Sequence, residues 1–151
     1  MRPLLIILGW LVAFSAAAQT SASALIVTDD GSSDQYLARV QAHTKGEIEE
    51  LMNRAEAVLE KVLAGESIEP IQFVLHGDEV RLFFRRNYQQ NKELINRAAR
   101  LDAFNVIDIK VCRTWMGFQQ EPLDQLYPFV ETVSFGPSEE KRLLSEGYIY
   151  F

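Results

Sequence analysis

The sequence predicts an α/β protein built on a mostly parallel five-stranded sheet with helices on both faces. Three observations point there. Short apolar runs alternate with amphipathic stretches along the chain after residue 18, the pattern that crossover helices impose on parallel strands. The run Ile71-Gln72-Phe73-Val74-Leu75 is nearly continuous in apolar character, which is how a strand buried on both faces reads. The composition, 48% hydrophobic and 24% charged over 151 residues, is that of a chain with a core.

The first eighteen residues do not read as part of that fold. Arg2 supplies a positive start, Leu4 to Phe14 an apolar run, and Ser15-Ala16-Ala17-Ala18 the small residues a signal peptidase requires. This plan predicts an export signal cleaved between Ala18 and Gln19, and a periplasmic or secreted product. The alternative is retention as an anchor, although the run is short for a membrane span. Residues 19–151 then suffice for a single domain. The formal net charge of −6 becomes more negative when Arg2 is lost, which argues against nucleic acid as a partner.

The elements follow in order. Ala24-Leu25-Ile26-Val27-Thr28 reads as a first strand ended by Asp29-Asp30-Gly31. Gly31 to Ala42 is polar and weakly periodic, a loop with a helical turn around Tyr36 to Val40. Ile48, Leu51, Met52, Ala55, Val58, Leu59, Val62 and Leu63 keep helical spacing, with Thr44 and Glu47 as a capping box and Gly65 as the stop. Ile71 to Leu75 is the buried strand, ended by His76-Gly77-Asp78. Glu79 to Arg85 reads as a short helix and Tyr88 to Phe104 as a longer one, with Asn87 as its N-cap. Val106 to Val111 is a strand that delivers Cys112, and Arg113 to Phe118 a helical turn or short helix. Pro122 to Leu126 is another short helical segment, and Phe129 to Val133 a strand. Gly136-Pro137-Ser138-Glu139-Glu140 opens a helix, with proline early and acids in the first turn. Gly147 ends it before a terminal strand, Tyr148 to Phe151.

Cys112 is the one cysteine of the chain. It stands at a strand's C-terminal end, before a helix and beside Arg113, where a thiol is placed to ionise. It has no partner for an internal disulfide. The opposing reading is a cysteine packed as a small core residue. His76 closes the neighbouring strand and either faces the same crevice as a base for a thiol or bonds to a loop carbonyl. In such sheets ligands bind beyond the carboxyl ends of the strands, which nominates the Asp29, His76-Gly77 and Cys112-Arg113 loops. Asn87, Asn91 and Lys92 either position an anionic ligand or serve locally, Asn87 as the cap of the following helix and Lys92 as a solvated surface charge. Trp115 and Met116 either line a pocket beside the sulfur or serve a core or an interface. His43 and His76 lie far apart in sequence and no cluster has ligand spacing, so no metal is expected. No glycine-rich nucleotide fingerprint occurs and no cofactor is implied.

Several separated segments, in order, resemble the DsrE/DsrF-like family. They are Phe73-Val74-Leu75-His76-Gly77, Asn87-Tyr88 with Asn91-Lys92, and Leu101-Asp102-Ala103-Phe104. Ile109 to Met116, Pro128 to Val133, Gly136-Pro137 and Gly147-Tyr148 continue the pattern. The resemblance implies a three-layer α/β/α fold, homo- or hetero-oligomers, and a cysteine that carries sulfane sulfur as a persulfide. Cys112 matches the carrier position. The partners so implied are a sulfur donor or acceptor protein or a small sulfane-sulfur compound. The other reading is an oligomeric binding or assembly module in which Cys112 is structural. A thiol-redox protein is a third class, weakened by the lack of a second cysteine.

Overall fold

The computed structural model describes residues 34–151. Their order is β1 (Tyr36–Leu37), α1 (Lys45–Leu63), β2 (Ile71–Leu75), α2 (Tyr88–Ala103), β3 (Ile107–Cys112), α3 (Arg113–Phe118), β4 (Val130–Val133), α4 (Gly136–Ser145) and β5 (Ile149–Tyr150). The sheet order is β4-β3-β2-β1-β5, and every pairing between these strands is parallel. The α/β class and the five-stranded sheet therefore hold. The run Ala24 to Thr28 and the Asp29 turn lie outside the described residues.

Two expected elements are corrected. Tyr36 and Leu37 form a strand, not a turn, because they pair with β2 on one side and β5 on the other. The segment Glu79 to Arg85 is not one helix. It is two 3-10 turns, Asp78–Phe83 and Arg85–Asn87, parted by the extended Phe84, which bridges to Leu126. Between α3 and β4, Leu123–Gln125 forms a third 3-10 turn.

Strand alternation distributes the core. Phe73, Leu75, Ile109 and Val111 turn to one face, where Ile48, Met52 and Leu59 of α1, Leu94 and Leu101 of α2 and Met116 of α3 bury them. Val74 and Leu37 turn to the other face and meet Leu143 of α4. Each fully buried large side chain, such as Phe73 or Phe83, contributes about 2–3 kcal/mol on leaving water.

The helix ends follow from sequence. Thr44 Oγ1 accepts the Glu47 amide at 3.3 Å. The Glu47 carboxylate reaches back to the amides of Gln41, Ala42 and His43 at 2.7–3.1 Å, a capping box extended over the preceding loop. Gly65 (φ 95°) lets the Glu66 amide reach Lys61 O and its own reach Val62 O, closing α1. Asn87 does begin α2, but its side chain donates to Arg81 O at 2.7 Å and does not cap the helix.

Candidate functional site

The connections β1-α1-β2-α2-β3-α3-β4 step steadily across the sheet with their helices on one face. The β4-α4-β5 connection then returns to the far edge over the other face. The loops leaving β3 and β4 therefore part toward opposite faces. That divergence makes a crevice at the carboxyl ends of the strands, the place where open α/β sheets bind ligands.

Cys112 ends β3 in that crevice, paired in register with Val133 of β4. It lines a cavity of about 140 Å³. His76 enters from β2, Thr114, Trp115 and Phe118 from α3, and Phe135 and Pro137 from the β4-α4 junction. The walls are chiefly apolar and aromatic. Cys112 is 2% exposed, and Phe118 at the rim is 83% exposed. Cys112 also occupies the N-cap position of α3, where the Trp115 amide donates to Sγ at 3.4 Å. The Thr114 amide and hydroxyl both donate to Ser134 O, at 3.2 and 2.7 Å, tying α3 to the β4 loop.

The sequence-nominated residues divide. Cys112, His76 and Trp115 meet at the cavity. Arg113 does not line it; its guanidinium donates to Ser134 Oγ at 3.2 Å. Gly77 packs instead beneath His43 and Glu79. Asn91 lines a separate cavity of about 270 Å³ between the start of α1 and the first turns of α2, where its non-helical backbone kinks α2. Asp29 lies outside the described residues.

Several residues at the site escaped the sequence reading: Phe118, Phe135 and Pro137 in the cavity wall, and His43, Glu79 and Glu140 around His76. His43 and His76, apart in sequence, bring their rings edge to face with centroids 5.0 Å apart. His43 Nδ1 lies 2.8 Å from Oε2 of Glu79, whose side chain is wholly buried. Oε1 of Glu79 accepts the amides of His76 and Gly77 at 2.8 and 2.9 Å. On the far side, His76 Nε2 stands 3.4 Å from Glu140 Oε1. The Glu140 carboxylate raises the His76 pKa above its ordinary value, with burial opposing and Glu79 adding to the rise. The one local signal for this cluster was the His-Gly-Asp-Glu run at a strand end, in which an acid can fold back onto the turn amides. His43 carries no such signal. Among the described residues no group of three or more His, Cys, Asp or Glu is arranged to hold a metal, and no helix is long and apolar enough to cross a membrane.

A buried cysteine, a histidine and an aromatic-walled cavity at a strand-end crevice define the class: an α/β protein with a candidate thiol site. No family model and no curated protein matches the chain. It is similar in structure to a protein of unknown function, MTH1491, from Methanobacterium thermoautotrophicum, with a TM-score of 0.63 and 17% identity over 78% of this chain and 97% of that one. The likeness shows the shared fold.

Proposed function

We propose that this chain is an exported, DsrE-like sulfur carrier in which Cys112 accepts sulfane sulfur as a persulfide and passes it to a partner. The observation that carries the reading is the placement of the Cys112 sulfur. It caps α3, receives the Trp115 amide, and opens into an apolar cavity shared with His76. The motif order of the sequence and the α/β fold support the same reading.

The chemistry balances without a cofactor. The Cys112 thiol gives up its proton, and the thiolate attacks the outer sulfur of a hydropersulfide, R-S-SH. The new S–S bond forms as the donor's S–S bond breaks. The electron pair leaves on R-S⁻, which takes up the released proton to give R-SH. An apolar cavity suits this exchange, because soft sulfur is weakly hydrated and water is kept from the reacting pair.

Intact-mass measurement tests the proposal. The protein is incubated with polysulfide, thiosulfate or a persulfidated donor beside a Cys112→Ser variant. A gain of one sulfur on the wild type, absent from the variant and reversed by dithiothreitol, is expected. No gain with any donor refutes carriage.

The burial of Cys112 favours a second reading, an oligomeric assembly module in which the thiol is a core residue. That reading predicts a thiol that alkylates only after denaturation. Exposed Phe118 and Phe135 would then serve packing between subunits.

A further inference from the structure

We infer that His43 and Glu79 are positioning residues for His76, and that His76 so held is the proton-handling group of the Cys112 cavity. The inference rests on the thiol reading of that cavity. It adds the group through which the Cys112 proton leaves and returns.

His76 is held through its backbone, by a neighbouring ring and by a carboxylate. The buried Glu79 carboxylate binds the backbone of His76 with one oxygen and the ring of His43 with the other. The His43 ring, in turn, rests edge to face on the His76 ring. Glu140 of α4 meets Nε2. Gly136, the first residue of α4, lies so close that an added Cβ would stand 2.8 Å from His76 Cβ and 3.1 Å from its ring. The titratable groups that face His76 are therefore Glu140 from α4, Glu79 from the turn after β2, His43 from the loop before α1 and Cys112 from β3.

This arrangement is costly in ways an ordinary loop histidine does not require. His43 holds a left-handed backbone, φ 53°, which is uncommon for a residue with a side chain. The Glu47 carboxylate secures it by accepting the His43 amide at 2.9 Å. A carboxylate without solvent contact must have its lone pairs satisfied, and the three contacts to Glu79 do so with groups that orient the two histidines. The strain and the burial converge on one ring, and that ring lines the cavity of the nucleophile. Among the charged and imidazole side chains just named, His76 is the one that shares the cavity with Cys112.

In the exchange, His76 takes the Cys112 proton as the thiolate forms. It returns that proton to the departing R-S⁻ after the S–S bond has moved. The ring is unchanged over the cycle, and no electrons are gained or lost by it. Fixing the ring at one orientation serves both transfers.

The test uses His43→Asn on the full chain. Asparagine tolerates the left-handed backbone and keeps a side-chain N–H for Glu79, so the fold is retained while the ring on His76 is lost. The rate of Cys112 alkylation by iodoacetamide is followed against pH, together with persulfide loading by polysulfide and NMR titration of the His76 ring. Wild type is expected to show an inflexion in the alkylation profile that coincides with the His76 titration and is absent in His76→Asn. His43→Asn is expected to displace that inflexion and to slow alkylation and loading at neutral pH about tenfold. Glu140→Gln should displace it to lower pH, an independent variant on the opposite side of the ring. Loading in the wild type with an unaltered profile in His43→Asn overturns the positioning role and leaves the carrier reading intact. A displaced profile with no loading by any donor overturns the carrier reading and leaves the positioning role standing.

Discussion

Gly77→Ala should be among the most damaging single-methyl additions in the fold, and the reason is purely steric. Gly77 has φ −130°, a backbone that alanine adopts without strain. An added Cβ would instead stand 2.5 Å from His43 Nδ1, 2.6 Å from His43 Cγ and 2.7 Å from Glu79 Oε2. Ordinary contact begins near ~3.5 Å, so ring and carboxylate must retreat by about 1 Å. Overpacking of that kind costs about 1–3 kcal/mol. The same movement breaks the 2.8 Å contact between His43 and Glu79, and a hydrogen bond to a buried charged group adds about 1.5–3 kcal/mol. The expected loss is about 4 kcal/mol, or about 15 °C in Tm for a domain of this size. Urea unfolding followed by circular dichroism measures it. Gly46→Ala is the internal control, since nothing lies within 4 Å of its would-be Cβ in the first turn of α1; it should stabilise by about 0.5–1 kcal/mol. A loss below about 0.5 kcal/mol in Gly77→Ala, the range of an ordinary surface change, would refute the packing of His43 and Glu79 against this turn.

The His76–Glu140 pair gives stability a pH dependence. Because the folded pKa of His76 is raised above 6.5, its contribution is complete below pH 6.5 and is lost as pH rises through the folded value. Denaturation midpoints taken from about pH 6 to about pH 9 should fall along that interval, and Glu140→Gln should flatten the slope. Glu47 behaves in the opposite sense. Burial works against its charge, but the amides of Gln41, Ala42 and His43 hold its pKa below 4.5, so its contribution is present above pH 4.5 and is lost as pH falls through the folded value. Glu47→Ala should cost about 1 kcal/mol, given its exposure, and remove that acid-limb loss. Leu143→Ala empties the small core between α4 and the sheet, where Leu143 is 2% exposed against Leu37 and Val74; a loss of about 3 kcal/mol is expected in the same unfolding assay.

Local periodicity made the helices legible, and tertiary pairing hid the rest. Helices α1, α2 and α4 could be read because each carries an apolar stripe and a stop that acts within a few residues, as Gly65 and Gly147 do with positive φ. Strand β1 could not. Two residues beside Asp34 and Gln35 carry no strand pattern, and Tyr36–Leu37 is extended because β2 and β5 flank it on both sides. The Phe84 break has the same origin, a bridge to Leu126.

The site divides along the same line. Cys112 and Trp115 were legible because the strand-to-helix junction that presents them is written in consecutive residues. His43 was not, since its place depends on the Glu47 loop, on Glu79 folding under His76, and on a glycine at 77 that leaves room for both. The β4 loop was likewise unforeseen as a wall. Phe135 and Pro137 reach the cavity because α4 departs to the opposite face from α3, and a crossover of that length has no signature in either loop alone. A thiol can thus be nominated from its neighbours in sequence, whereas the groups that would govern its proton come from three separate parts of the chain, the loop before α1, the turn after β2 and α4, and are brought together by topology.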